Sequence, residues 1–141
     1  RVRDPGNLGT VMRTADAVGA AGIILIGDCT DPYSLEAVRA SMGAVFNVEM
    51  IACSEAEFIA FGTAWPGRVI GAALPAVVDY RVADYGGPLI MLMGNEQGGL
   101  TTPLMDMCDQ LIKIPMQGRS DSLNLAVATG VALYTALDRR G

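Results

Sequence analysis

The sequence predicts an α/β fold, a parallel sheet with helices on both faces, within one domain. Three observations predict it. Short apolar runs alternate along the chain with segments of helical spacing. The runs are apolar throughout rather than at every second residue, as strands covered on both faces are. The length of 141 residues, with 51% hydrophobic content and a mean hydropathy of +0.36, supports one real core and excludes disorder.

The elements follow in order. In DPGNLGTVMRTADAVG (4–19), Gly6 and Gly9 bracket Asn7, and Thr10 can cap a helix carrying Arg13. IILIG (23–27) is a buried strand ended by Gly-Asp. SLEAVRASMGAVF (34–46) is a helix capped by Ser34, with apolar spacing at Leu35, Val38 and Met42. NVEMI (47–51) alternates as a strand. SEAEFIAFGTAW (54–65) opens with Ser54 and Glu57 at capping-box spacing and predicts a helix. RVIGAAL (68–74) and LIMLMG (89–94) are strands, the second the stronger. LTTPLMDMCD (100–109) fits a short helix with Pro103 in its first turn. QLIKIP (110–115) is a strand, and 124–139 is the last helix, capped by Ser122 or Asn124.

Composition excludes several chemistries. The chain has no histidine, which rules out Ser-His-Asp triads, His-dependent metal sites and histidine acid–base catalysis. Cys29, Cys53 and Cys108 are odd in number and form no CxxC, so they read as buried, reduced thiols of a cytoplasmic protein. No apolar run reaches the roughly 18–20 residues of a membrane span, and no signal-peptide pattern opens the chain. Because the first residue is Arg1 rather than Met, a longer product is expected. The formal charge of −5 is a poor footprint for a nucleic-acid-binding domain, so a local patch or a missing segment must supply attraction to any such partner. Nine of the ten basic residues are Arg, suited to bidentate contact with phosphate or carboxylate.

Ligands of open parallel sheets bind outside the carboxyl ends of the strands, and three loops at that level have unusual composition. The first is 4–19. A glycine turn leading into a helix is an anion site in principle, but its spacing fits neither GxGxxG nor a P-loop. Arg13 can equally form a surface pair with Asp16. The second, MGNEQGGL (93–100), sets three glycines around Asn95, Glu96 and Gln97, either to admit a ligand to the backbone or as a plain turn. The third, IPMQGRSDSLNLAVATG (114–130), crosses a polar loop between two segments that both look buried. The helix after it, LAVATGVALYTAL (125–137), is apolar nearly all round, interrupted only by Thr129 and Thr135. It needs cover on several sides, from a second subunit or as the central helix of a monomer.

Together the three loops resemble the sequence motifs of the SpoU/TrmH-type RNA 2′-O-ribose methyltransferases of the SPOUT superfamily. The first motif reads Asn7-Leu-Gly9-Thr-Val-Met-Arg13-Thr-Ala15, and the second Leu92-Met-Gly94-Asn95-Glu96-Gln-Gly98. The third reads Ile114-Pro115-Met116 followed by Ser122-Leu123-Asn124, and RASMGAVFNV (39–48) is similar to the family's Arg-x-Ser-x-Gly segment. The likeness runs through the whole chain in order. It implies a SPOUT-type sheet whose C-terminal part forms a deep trefoil knot, which sequence physics alone would not propose. It also implies S-adenosylmethionine as cofactor and explains the polar loop, whose groups would face cofactor and substrate.

By the same resemblance Gly94, Ile114 and Leu123 bind adenosine through their backbone. Leu74, Met93, Met116 and the Ser122-Leu123-Asn124 turn complete the pocket. Arg13 is the family's motif-one arginine, which activates the ribose 2′-hydroxyl or holds the adjacent phosphate. A guanidinium is better suited to electrostatic stabilisation than to base catalysis, leaving the RNA phosphate as a candidate proton acceptor. Asn7 and Glu96 order the site, while Ser122 and Asn124 position ribose or cofactor. No metal is implied. The family's active site forms across a homodimer interface, in agreement with the all-round apolar last helix. The expected substrate is RNA, ribosomal in preference to transfer RNA.

Two departures stand out. Only Arg1-Val2-Arg3 precedes the first motif, where family members carry an apolar strand, so the first strand and any upstream RNA-binding domain are expected to be missing. Arg1, Arg3, Arg13, Arg39 and Arg119 are the candidates for a local phosphate-binding patch. A non-catalytic cofactor- or RNA-binding module of the same fold, and a flavodoxin-like nucleotide binder, are the other readings. Intact Arg13, Glu96 and Asn124 argue against the first. The Ser-Leu-Asn turn after Ile-Pro-Met argues against the second.

Overall fold

The computed structural model describes residues 2–73, 76, 78–95, 98–114 and 124–140. They divide into two units, with the boundary between Phe58 and Ile59.

In the first unit, α1 (Pro5–Ala17) is followed by β1 (Gly22–Ile26), α2 (Leu35–Ser41), a 3-10 turn (Ala44–Phe46) and β2 (Glu49–Cys53). The two strands pair in parallel, with Ile26 opposite Cys53. The first helix starts earlier than the sequence reading places it. Asp4, not Thr10, is its cap: the Asp4 carboxylate accepts from the Asn7 amide at 3.0 Å. Pro5 then occupies the first turn, where its preset φ and missing N–H cost nothing. Thr10 lies inside the helix and donates its hydroxyl to the Gly6 carbonyl at 3.0 Å.

The helix expected over 34–46 is capped by Ser34 but ends at Ser41. Met42 (φ 53°) and Gly43 (φ 91°) both turn left-handed, which no continuing α-helix tolerates. The 3-10 turn that follows occupies 44–46, and its closing bonds to the Ala44 carbonyl engage the amides of Asn47 and Val48. The strand expected at 47–51 is therefore displaced to Glu49–Cys53. The core of this unit gathers Leu8 and Met12 from α1, Leu25 from β1, and Ala37, Ala44 and Val45.

In chain order β2 is followed by α3 (Glu55–Ala64). Its capping box forms as the spacing predicts: the Ser54 amide donates to Glu57 at 2.9 Å, and the Glu57 amide to the Ser54 hydroxyl at 3.1 Å.

The second unit continues with β3 (Arg68–Ala72), β4 (Val78–Asp79), β5 (Leu89–Met93), α4 (Thr102–Asp106), β6 (Gln110–Lys113) and α5 (Leu125–Arg139). Its strands lie in the order β4-β6-β3-β5, every pairing parallel, as the continuously apolar runs predict. Two-residue β4 is too short to leave a periodic signal and was not anticipated. Ile70 and Ile112 from the central strands pack with Ala83, Tyr85 and Ala136. Asn124 caps α5, its Oδ1 accepting from the amides of Ala126 at 2.8 Å and Val127 at 3.3 Å. The hydroxyls of Thr129 and Thr135 bond back to the carbonyls four residues earlier, so the two polar interruptions are satisfied within the helix. Residues 115–123, between β6 and α5 and part of the expected knot, lie outside the described residues.

Candidate functional site

The register of the second sheet brings several candidate positions to one edge. Ala72, the last residue of β3, is level with Met93 on one side and with Ile112 on the other. Met93 and Gly94 leave β5, and Ile114 leaves β6, at the carboxyl edge of three adjacent strands. Two strand spacings separate β5 from β6, about 10 Å. All three residues are half-buried. Leu74, which follows β3, lies outside the described residues.

Beyond β5 the chain doubles back. Asn95 bridges to Gly99, its amide donating to the Gly99 carbonyl at 3.4 Å, and its side-chain oxygen accepts from the Gly98 amide. A Cβ added at Gly94 would lie 2.4 Å from the Gly99 carbonyl carbon and 2.6 Å from the Leu100 nitrogen. The space that a side chain would take at Gly94 is filled by the loop's own returning backbone. Gly99 adopts φ 64°, which favours glycine. Glu96, with Gln97, lies outside the described residues, and so do Met116, Ser122 and Leu123. Asn124 is described, and its side-chain oxygen serves as the α5 cap.

In the first unit, α1 presents Asn7 half-buried in its first turn and Arg13 exposed one turn beyond Gly9. Leu8, Met12 and Ala15 occupy the buried face, which orients Arg13 outward. The alternative pairing of Arg13 with Asp16 does not form, and neither Arg13 nor Arg39 makes an ion pair among the described residues. Three arginines of the second unit are committed elsewhere. Arg68 pairs with Asp84 at 2.8 Å and Arg81 with Asp79 at 2.7 Å, while Arg140 donates to the carbonyls of Tyr85 and Gly87. The Arg81 hydrogen bonds hold the Asp79 carboxyl down at about 2.

A cavity of about 550 Å³ opens beside Pro66, Arg68, Asp84, Pro88 and Asp109. It lies at the amino ends of β3, β5 and β6, the opposite edge from the loops that should bind ligand, and belongs to the packing of that end. Burial raises the Cys108 thiol to about 11 and also raises Cys53. Such thiols are poor nucleophiles near neutral pH. Among the described residues no group of three His, Cys, Asp or Glu side chains could hold a metal ion, and no helix is long and apolar enough to cross a membrane.

Sequence reading missed Asp4, which fixes the turn around Asn7, although the Asp-Pro pair is a helix-start signal. Ser41, named only within the Arg-x-Ser-x-Gly likeness and given no role there, is one of two buried polar residues among those described, the other being Thr129. Its hydroxyl donates to the Val38 carbonyl at 2.8 Å and accepts from the Val45 amide at 3.4 Å. No local pattern announces that role.

The chain matches the SpoU rRNA Methylase family over residues 1–134. A 23S rRNA (uridine(2479)-2′-O)-methyltransferase of Streptomyces viridochromogenes is 35% identical over 148 residues, 99% of this chain and 51% of that protein. The crystal structure of an AdoMet-bound rRNA methyltransferase from Sinorhizobium meliloti aligns with a TM-score of 0.94 at 52% identity, covering 96% of this chain and 52% of that one. A structure described as giving insight into 2-OH methylation of C/U34 on tRNA aligns with a TM-score of 0.86 at 32% identity, covering 99% of this chain and 91% of that one. The chain spans about half the length of the curated relatives it matches.

Proposed function

The chain belongs to the SpoU rRNA methylase family, and on that premise we propose that it transfers a methyl group from S-adenosylmethionine to a ribose 2′-hydroxyl of structured RNA, with ribosomal RNA the favoured substrate. The observation that carries the reading is the alignment of Met93, Gly94 and Ile114 along one carboxyl edge of three parallel strands. The residues there suit an adenosyl group: two half-buried apolar side chains flank a glycine backbone. Leu74, Met116, Ser122, Leu123 and Asn124 are proposed to complete the pocket. The bound cofactor supplies a methyl group already activated by its sulfonium, so the chemistry asks for no metal.

What remains for the protein is to make the 2′-oxygen a better nucleophile and to align it. Arg13 is assigned the electrostatic part. An exposed guanidinium with no carboxylate partner among the described residues can face an RNA phosphate or the charge developing on the 2′-oxygen. The proton passes to the RNA phosphate or to water. Asn7 and Glu96 order the surroundings, and Ser122 positions the ribose. Asn124, whose oxygen already receives two α5 amides, fixes the turn that carries the pocket.

The catalytic domain is assigned to residues 1–141, acting in the cytoplasm as a homodimer. Support for the dimer comes from α5, where Val127, Tyr134 and Leu137 are 52%, 52% and 46% exposed. With Gly130 they follow the 3-4-3 spacing of a helix–helix seam. A second reading, transfer RNA as substrate, is favoured by the likeness to the tRNA C/U34 structure over 91% of that chain.

Calorimetric titration of S-adenosylmethionine and its demethylated product into the purified chain tests the reading. Micromolar binding that is lost when residues 122–124 are replaced is the expected result. A folded dimer that binds neither would overturn it. Mapping 2′-O-methylation on unmodified 23S rRNA and tRNA transcripts separates the two substrates.

A further inference from the structure

Residues that touch nothing in the reaction can still decide where Arg13 sits. A Cβ added at Gly9 would lie 2.5 Å from the Ala37 carbonyl oxygen, 2.5 Å from the Ala40 Cβ and 2.9 Å from the Ser41 nitrogen. Two of those neighbours are backbone, which cannot swing aside. At Gly9, α1 therefore rests directly on the main chain of α2, closer than any side chain allows. The α2 segment it rests on is itself pinned. Ser41 is fully buried, and its hydroxyl ties the Val38 carbonyl to the Val45 amide across the left-handed break at Met42 and Gly43. Asn7 lies two residues before the contact point and Arg13 one helical turn after it.

We propose that Gly9 and Ser41 form a seat that sets the position of α1, and through it the reach of the Arg13 guanidinium: both are positioning residues for methyl transfer. The inference rests on the methyltransferase reading and deepens it. Gly9→Ala forces α1 off its seat by the width of a methyl group, and displacement of about 1 Å at a reacting group can cost 10²-fold in rate. The cofactor positions all lie in the other unit, so S-adenosylmethionine binding has no reason to change. A residue needed only for stability would show no such split.

The test uses tritiated S-adenosylmethionine and in vitro transcribed 23S rRNA, with cofactor affinity measured by calorimetry. Gly9→Ala should lower kcat at least tenfold, with the cofactor Kd within twofold of wild type. Adding Ala40→Gly, which removes one of the three contacts, should restore part of kcat. Ser41→Ala, which adds no bulk, should lower kcat severalfold, and Ser41→Thr, which keeps a hydroxyl, should lose less. Unchanged kcat in both Gly9→Ala and Ser41→Ala would overturn the proposal, and so would parallel losses of kcat and cofactor binding. If wild type transfers no methyl group to RNA, the enzyme reading fails instead. The seat is then judged by amide hydrogen exchange: Gly9→Ala must speed exchange in α1 while β3, β5 and β6 keep wild-type rates. Unchanged exchange in α1 would overturn it.

Discussion

Arg13 shows how a residue's partners, or their absence, assign its work. Arg68, Arg81 and Arg140 hold loops together, whereas Arg13 is exposed and makes no ion pair among the described residues. Arg13→Ala should lower methyl transfer by about 10²-fold or more, the usual cost of removing one charge-stabilising donor. Cofactor Kd should stay unchanged, and near-wild-type turnover would remove Arg13 from the mechanism. Two ionisable groups make separate predictions. Asp79 is pulled below its ordinary 3.8 to about 2, chiefly by side-chain and backbone hydrogen bonds from Arg81. Because the folded value is the lower one, the pairing adds stability above pH 3.8 and loses it as pH falls towards 2. The Asp79 carboxyl resonance should titrate near 2 and move back towards 3.8 in Arg81→Ala. Cys108 is shifted the other way, from 9.0 to about 11, mainly by burial. Stability owed to its neutral thiol is complete below pH 9.0 and lost as pH rises through about 11. At pH 8, iodoacetamide should alkylate Cys108 far more slowly than glutathione, as mass spectrometry of the labelled chain can show.

At the scale of elements, start signals proved more legible than stops. Ser34, Ser54, Thr101 and Asn124 all cap helices where their side-chain chemistry points. The capping box at α3 should make Ser54→Ala cost about 1 kcal/mol, measured as a lower urea midpoint with unchanged slope. No change in midpoint would mean that the box contributes nothing. The one early start missed was Asp4, because Thr10 offered an equally plausible hydroxyl, although Asp4 before Pro5 is itself a helix-start signal. The end of α2 was missed for a different reason. Met42 carries a positive φ that nothing in its side chain favours, and Gly43 beside it reads as tolerable within a helix. The displaced start of β2 follows from that single break.

For the whole molecule the prediction concerns association. One stripe of α5 is buried by Leu125, Ala126, Thr129, Ala132 and Ala136, and another is left exposed at Val127, Tyr134 and Leu137. Sedimentation at micromolar concentration should show a dimer, and Tyr134→Lys with Leu137→Lys should give a folded monomer deficient in methyl transfer. A wild-type monomer would sink both the seam and the shared active site. The alternation of apolar runs with capped helices was enough to determine a parallel α/β chain and, apart from β4 and the 3-10 turn, its order of elements, because each depends on residues within a few positions. Resemblance of three loops to the family's motifs, rather than spacing, pointed to Arg13, Gly94, Ile114 and Asn124. Tertiary structure alone decided that β3 lies between β5 and β6, so that Met93 and Ile114 share an edge. It alone decided that Gly94 makes room for Gly99 and that Gly9 rests on α2. Those are contacts between backbones brought together by folding. At these two positions glycine answers a close approach, and only the packed chain says by what.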